Sequence, residues 1–404
     1  MTPVADRGRE SAGESASIAA RRDIGPDSRT GVLAWTSGLA ALAAIAGVVS
    51  HVLATGLAAG ALIGALIVLV RNADARRRLL REPILWAILA YLATRLWAWS
   101  WAPDRGASLH NLADALLVLT AIPSALGART LDRRSLALAV TIVALVDGYA
   151  CADYLLALHD RWHGITGGYV RLGVYHIWLS LLCWDVLRVP EPDRGTHRVA
   201  RIGALVGAVG TAYSLARTLW LVLVAMGAEQ LARYRSPVRA VLISLVVLGA
   251  LIGVSSQFAE RALTLSQPVS NASDRQFLYT CARERIAEKP WTGFGMDSFR
   301  QTFTYWDLVR DPRIDSWHNE GVQAYFEGGL PGLLGWLGLV LVPLVSYRSA
   351  RAAMWRRALV WTWAIAMLNV LTGDPSLATA LGWMIGQVAA TSHSVLPEGL
   401  DPAA

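Results

Sequence analysis

Long apolar stretches alternate with short polar segments along most of the chain. Residues 31–70 contain no Asp, Glu, Lys or Arg, and further apolar runs follow at intervals up to residue 391. A membrane-spanning helix needs about 20 consecutive, mostly apolar residues. The pattern therefore predicts an all-α, polytopic membrane protein.

Clusters of arginine occupy the short polar segments, and cytoplasmic loops of membrane proteins are enriched in such cations. If every cluster faces the cytoplasm, an even number of crossings must separate each neighbouring pair. This condition predicts about twelve transmembrane helices. They lie within 31–70 (two spans), 83–101, 108–127, 135–158, 169–187, 201–232 (two short spans), 238–254, 320–347, 354–371 and 377–391.

One long polar segment, 255–318, interrupts this series between spans 9 and 10 and is predicted to be periplasmic, with short helices. It is rich in arginine, but long loops cross the membrane largely regardless of charge. Its cations therefore indicate a role other than fixing topology. The remaining segments are predicted as a disordered cytoplasmic tail (1–30), helices 1–9 (31–254), helices 10–12 (319–392) and a second cytoplasmic tail (393–404).

Composition supports a membrane protein. The 404 residues are 54% hydrophobic and 17% charged, whereas soluble domains average about 25% charged residues. The net charge of +7 and the pI near 9.6 would suggest nucleic acid binding in a soluble protein. Here the arginines lie in short loops, so membrane lipids rather than nucleic acid are the predicted partners. The widely spaced Cys151, Cys183 and Cys281 are predicted to be unpaired thiols.

Charged side chains inside the predicted spans require partners. Arg95, Asp114, Asp147 and Asp153 lie in apolar runs, where each costs roughly 2.5–3.5 kcal/mol at mid-bilayer. Arg95 and Asp114 fall at similar depth on consecutive spans, so we expect them to form an ion pair. Buried carboxylates also occur in proton-coupled transporters, but the chain lacks the repeated broken-helix pattern of such proteins.

The polar segment contains a helix that carries a cation at its start. Ser273 and Gln276 resemble a capping box, which predicts a helix over 274–288 that Pro290 stops. Arg275 falls in its first turn, where backbone N–H groups favour anions. A phosphate would serve as its counter-ion. Pairing with Asp274 or another nearby carboxylate is the alternative.

His318 lies at the predicted outer membrane boundary, at the start of a helix. A helix N-terminus disfavours imidazolium, so the ring should remain neutral and able to accept a proton. That suits a general base, with Glu320 as the second candidate; local hydrogen bonding is the structural alternative for His318. Arg217 and Arg171, which are predicted to face outward, are further candidates. Each could bind a phosphate group, either of a substrate or of a lipid. Supporting roles are assigned to Asn319, Glu320, Arg283 and Arg285.

No cofactor and no metal site is predicted. His159 and His163 are four residues apart, but an outer loop is the simpler interpretation. The chain contains no His-Glu-x-x-His or Asp-x-Asp motif, and no phosphate-binding Gly-x-x-x-x-Gly-Lys-Ser/Thr motif.

The ordered set of motifs between about residues 200 and 339 resembles the O-antigen ligase/polymerase superfamily. That family has Ser-Arg before a span, an Arg-containing helix, Pro-x-x-Gly-x-Gly, and His-Asn followed by Glu-x-Gly-x-x-Gly. Ala216 stands where the family serine is usual. The matching residues are Tyr213-Ser214-Leu215-Ala216-Arg217, Arg275, Lys289-Pro290-Trp291-Thr292-Gly293-Phe294-Gly295, His318-Asn319 and Glu327-Gly328-Gly329-Leu330-Pro331-Gly332.

The resemblance implies an enzyme of the bacterial inner membrane whose active site faces the periplasm. Its substrates would be an undecaprenyl-pyrophosphate-linked glycan and a sugar hydroxyl of lipid A-core, in lipopolysaccharide biosynthesis. The close series of motifs favours an O-antigen ligase. An O-antigen polymerase of the same superfamily and a polyprenyl-linked glycan transporter are the alternatives. His318 would then act as base, and Arg217, Arg275 and Arg171 would bind pyrophosphate in an inverting, metal-independent transfer.

Overall fold

The computed structural model describes residues 28–127, 133–156, 165, 168–188, 193–214, 216–234, 271–303, 316–350 and 352–393. Within these ranges all regular elements are helical, which confirms the all-α prediction. A 3-10 turn, Leu117–Thr120, joins helices α5 and α6. The helices are α1 Ser28–Ala46, α2 His51–Arg71, α3 Ala73–Leu80, α4 Pro83–Ser100, α5 Leu109–Leu116, α6 Ala121–Ala125, α7 Arg133–Leu155, α8 Tyr169–Val186, α9 Arg194–Tyr213, α10 Arg217–Tyr234, α11 Asn271–Glu288, α12 Phe299–Thr302, α13 Glu320–Ser346, α14 Ala353–Ala366 and α15 Pro375–His393.

Three of the described helices are long and apolar enough to cross a bilayer: α2, α7 and α13. Shorter apolar helices occur at Ala34–Ala46, Leu109–Ala125 and Thr218–Ala232. The count of twelve crossings stays a prediction. The predicted span 238–254 and much of the segment 255–318 lie outside the described residues.

Several predicted turns coincide with helix boundaries. The two spans predicted within 201–232 correspond to α9 and α10, which are separated by residues 214–216. The span predicted over 108–127 is helical but tightens into the 3-10 turn at its centre. There the Thr120 hydroxyl donates to the carbonyl oxygens of Leu117 and Thr379, at 2.8 and 2.9 Å. Bonds of this kind compete with the regular helical pattern.

Helices α4 and α13 pack side by side in opposite directions and define two ends of the molecule. At one end the Arg95 guanidinium contacts the Glu327 carboxylate. At the other, the Tyr347 hydroxyl donates to Glu82. The 18 residues of α4 extend about 27 Å at 1.5 Å per residue, close to the thickness of the hydrocarbon core. We call these the α13 N-terminal end and the α13 C-terminal end.

The predicted ion pair between Arg95 and Asp114 is wrong. Arg95 Nη1 lies 2.6 Å from Glu327 Oε2, and both side chains are largely buried. The reason is that Arg95 faces α13, which packs along the length of α4, whereas α5 contacts α4 much less. Asp147, for which a partner was predicted but not named, has its carboxylate 2.7 Å from Nε2 of the fully buried His176.

The three cysteines are unpaired, as predicted. Cys183 and Cys281 are buried, and Cys151 is half-buried. Cys281 faces the small apolar cluster that attaches α11 to α13, together with Leu278 and Phe326. Burial raises the pKa of the Cys281 thiol, so the thiol stays protonated at neutral pH.

Candidate active site at the α13 N-terminal end

The loop between α11 and α12 is clamped onto the first half of α13 by backbone hydrogen bonds. Phe294 N–H donates to the Phe326 carbonyl, and Gly295 N–H donates to the Glu327 carbonyl, both at 2.9 Å. In return, Leu330 N–H donates to the carbonyl of Pro290 at 2.8 Å. The motif Pro-x-x-Gly-x-Gly and the motif Glu-x-Gly-x-x-Gly therefore form one structural unit.

Two glycines allow the loop to approach the end of α4 and the first half of α13 closely. Gly295 has φ 94°, and a Cβ atom there would stand 2.3 Å from the Trp101 carbonyl oxygen. Gly329 has φ 63°, and a Cβ atom there would stand 2.3 Å from the Trp291 carbonyl oxygen. Left-handed backbone of this kind favours glycine. These glycines produce a tight turn before α12 and an interruption near Gly329, where α13 is kinked.

The Glu327 carboxylate connects three segments of the chain at this kink. It receives hydrogen bonds from Arg95 Nη1 at 2.6 Å, Gln323 Nε2 at 2.7 Å and the backbone N–H of Asp297 at 3.1 Å. Gln323 Oε1 accepts from the backbone N–H of Trp317 at 3.1 Å. A continuous series of bonds thus runs from Arg95 to the residue before His318.

An aromatic cluster underlies the same loop. Trp317 is fully buried, and its ring centroid lies 4.8 Å from those of Phe299 and Phe326. Phe326 in turn stacks on Phe294 at 4.8 Å. Edge-to-face and stacked pairs at this separation stabilise aromatic clusters beyond the burial of area alone. Trp317 therefore anchors the chain immediately before His318.

His318 is half-buried and has φ 51°. Non-glycine residues seldom adopt this left-handed backbone, and strained residues of this type cluster at functional sites. The residue directly precedes Asn319, the N-cap of α13, whose side-chain oxygen accepts from Val322 N–H at 3.0 Å. His318 therefore stands at a helix N-terminus, as predicted. Because helix N-termini disfavour cations, the position favours a neutral imidazole.

Asn319 and Glu320 fix this turn to the connection between α14 and α15. Asn319 Nδ2 donates to the carbonyl of Met367 at 2.9 Å. The buried Glu320 carboxylate receives the backbone N–H of Leu371 at 2.5 Å, the N–H of Thr372 at 3.2 Å and the Thr372 hydroxyl. These bonds give both residues a positioning role.

Arg171 lies at the same end but already has a carboxylate partner. Its Nε donates to Asp374 Oδ2 at 2.5 Å. The other oxygen of Asp374 accepts from the N–H groups of Ser376 and Leu377, at 2.9 and 3.1 Å, at the start of α15. A phosphate bound by Arg171 would have to share its guanidinium with Asp374.

The other predicted cations belong to two helices. Arg217 is the first residue of α10, directly after the break at 214–216, and Arg275 lies in the second turn of α11. Their side chains lie outside the described residues. Arg283 is exposed on α11, and Arg285 Nη1 pairs with Glu288 at 3.0 Å.

The predicted capping role of Ser273 is wrong, whereas the predicted stop before Pro290 is confirmed. Helix α11 includes Asn271, so Ser273 lies inside it. The backbone remains helical through Asn271 and Ala272, which moves the boundary away from the serine hydroxyl. Because the helix also contains these residues, Arg275 lies in its second turn and not, as was predicted, in its first turn.

Sequence reasoning missed the role of Glu327, which it named only as part of a family motif. The available signal was Arg95: a cation within an apolar run needs a buried carboxylate, and Glu327 precedes two glycines that permit close packing. Among the described residues, no group of three or more His, Cys, Asp or Glu side chains is arranged to hold a metal ion. His159 and His163 lie outside them.

These observations define a multi-pass helical membrane protein with a constrained histidine at one end of its central helix pair. Residues 202–337 match the family model described as O-Antigen ligase. This match over about a third of the chain confirms the resemblance seen in the motifs. A comparison with curated proteins gives no match. The matched range contains Arg217, Arg275, His318 and Glu327.

Proposed function

We propose that this protein is an O-antigen ligase of the bacterial inner membrane. It transfers glycan from undecaprenyl pyrophosphate to a sugar hydroxyl of lipid A-core at the periplasmic face, in lipopolysaccharide biosynthesis. The observation that carries the proposal is the match of residues 202–337 to the O-antigen ligase family. The constrained turn at His318 supports it, because the turn lies within the matched range and is fixed by hydrogen bonds to α13 and to the connection between α14 and α15.

In the proposed reaction His318 is the general base. The neutral imidazole takes the proton of the acceptor hydroxyl as that oxygen attacks the anomeric carbon of the donor glycan. A new C–O bond forms while the bond from the anomeric carbon to the pyrophosphate oxygen breaks, so the configuration inverts. Undecaprenyl pyrophosphate leaves with the electron pair of that bond, and His318 passes the proton to solvent.

Arg217 and Arg275 are the proposed pyrophosphate ligands. Guanidinium groups bind phosphate oxygens through two parallel hydrogen bonds. Positive charge placed where negative charge develops would stabilise the transition state without a metal ion. Arg171 would join them only if phosphate competes with Asp374. Asn319 and Glu320 hold the His318 turn in place, and Glu327 holds the kink of α13 beneath it.

A purified, reconstituted protein tests the proposal. Supplied with undecaprenyl-pyrophosphate-linked glycan and lipid A-core, a ligase yields glycan attached to lipid A-core. A polymerase instead lengthens the lipid-linked glycan and ignores lipid A-core. A glycan transporter moves the lipid-linked glycan across the bilayer and forms no new glycosidic bond. Either of the last two results would overturn the assignment as a ligase.

A further inference from the structure

A second polar site lies at the α13 C-terminal end, opposite the candidate active site. It is a cavity of about 990 Å³ between α3, the start of α4 and the ends of α13 and α15. Ligand pockets commonly measure about 300–1,000 Å³. The lining residues that define its chemistry are Arg77, Arg78, Arg81, Arg348, Glu82 and His393.

The wall of the cavity is cationic. Four guanidinium groups line it, from Arg77, Arg78, Arg81 and Arg348, against the two carboxylates of Asp74 and Glu82. Across the described ranges, no ion pair involves Arg77, Arg78 or Arg81. These side chains are exposed. The excess of positive charge fits an anionic ligand.

One of the two carboxylates, that of Glu82, has hydrogen-bond partners within the protein. Glu82 is buried and accepts from the Tyr347 hydroxyl at 2.6 Å, while His393 Nε2 lies 3.2 Å from its other oxygen. Even with Asp74 and Glu82 ionised, the four guanidinium groups leave the lining with an excess of positive charge.

The position of the cavity favours a lipid as the source of that anion. Its lining residues follow the ends of α2 and α13, two helices long and apolar enough to span a bilayer. Two large apolar side chains within a few residues of the lining residues Arg81 and Pro83 are exposed, Leu80 at 49% and Trp86 at 58%. A free phosphate would not contact them, whereas acyl chains would.

We propose that this cavity binds the phosphate-bearing headgroup of an anionic phospholipid. The guanidinium groups contact the phosphodiester, and Leu80 and Trp86 lie along the acyl chains. The arginine distribution predicts that this leaflet is cytoplasmic. The site is separate from the glycan-transfer site by the length of α4, and the proposal holds whether or not the protein is a ligase.

The test measures the melting temperature of the full-length protein in detergent during titration with short-chain phosphatidylglycerol. A ligand that binds only the folded state raises this temperature with its concentration. We expect a saturable rise with phosphatidylglycerol and none with phosphatidylcholine or inorganic phosphate. An equal rise with inorganic phosphate would overturn the lipid assignment, and an equal rise with phosphatidylcholine would overturn the role of the anion.

Paired variants locate the site. Arg81→Gln with Arg348→Gln should weaken phosphatidylglycerol binding about thirtyfold, since each cation near a membrane surface contributes about fivefold in affinity. The matched control, Arg134→Gln with Arg201→Gln, removes two exposed arginines that do not line the cavity and should keep wild-type affinity. Equal weakening in both pairs would contradict the proposal. If the first pair fails to fold, Arg77→Gln with Arg78→Gln replaces it.

Discussion

The carboxylate of Glu327 joins α4, α13 and the loop before α12 through its bonds to Arg95, Gln323 and Asp297. Removing one partner of a buried ion pair leaves an uncompensated charge, which costs about 3–5 kcal/mol. We expect Glu327→Ala to lower the free energy of unfolding by that amount. Arg95→Ala should cost a similar amount, and the double variant should cost much less than the sum.

A second double-mutant cycle, made of Arg95→Ala, Asp114→Ala and the double variant, provides the control. Asp114 lies in a comparable apolar run but is not the ion-pair partner of Arg95. The losses of Arg95→Ala and Asp114→Ala should therefore add to within about 0.5 kcal/mol. Unfolding of the purified variants in detergent measures both cycles. Additive losses for Arg95 with Glu327, or strong coupling for Arg95 with Asp114, would contradict the observed pairing.

At the level of single residues, the sequence indicated which side chains needed partners but not which partners they have. Arg95 and Asp147 were recognised as costly in an apolar run, because the cost depends only on local composition. Their partners, Glu327 and His176, depend on which helix faces which. Equal predicted depth could not decide that, because two consecutive spans need not be the pair in closest contact.

The kink of α13 offers a test at the level of one element. Gly329→Ala would force a left-handed residue to carry a Cβ atom 2.3 Å from the Trp291 carbonyl oxygen. Left-handed strain alone costs about 1–3 kcal/mol, and the contact adds to it. We expect thermal unfolding to show a loss of at least that size, together with impaired glycan transfer, because the loop carrying Gly293 and Gly295 would separate from α13.

Gly338→Ala is the matched control for this prediction. It lies in the same helix, and a Cβ atom there would meet no heavy atom within 4 Å. Alanine is also the better helix former, so this variant should be neutral or slightly stabilising. Equal losses in the two variants would show that any added methyl group in α13 is harmful, which contradicts a specific role for the kink.

Element boundaries could be predicted where proline, glycine or charge marked them. Examples are the end of α11 before Pro290 and the break between α9 and α10 at residues 214–216. The start of α11 was wrongly predicted at Ser273, because several polar residues near that point can start a helix. The 3-10 turn before α6 was also missed, because it depends on the contact of Thr120 with Thr379, far away in sequence.

For the whole molecule, the antiparallel pair α4 and α13 places the candidate active site and the arginine-lined cavity at opposite ends. Trp291, which is 69% exposed, and Arg78 mark the two ends. In cells, Trp291→Cys should react with a membrane-impermeant maleimide added from the periplasm, whereas Arg78→Cys should react only after the membrane is permeabilised. Reaction of both from the same side would contradict the predicted topology.

The candidate site was predictable as a set of motifs but not as an arrangement in space. Motif order and residue type were sufficient to indicate His318 and the glycine turns. The bonds that fix His318, from Trp317 to Gln323 and from Asn319 to Met367, arise only when α13 packs against its neighbours. Arg171 illustrates the opposite case: an isolated cation in the sequence has Asp374 as its partner in the fold.

The central claim is that His318 acts as the base in glycan transfer, with Arg217 binding the leaving pyrophosphate. The most direct test compares initial transfer rates of reconstituted His318→Ala and Arg217→Ala with wild type. A general base contributes about 10²–10⁴-fold and one electrostatic donor about 10²–10³-fold, so losses of those sizes are expected at normal membrane levels. His110→Ala, an exposed histidine outside the motifs, should retain full activity. Near-wild-type rates for both His318→Ala and Arg217→Ala would contradict the account.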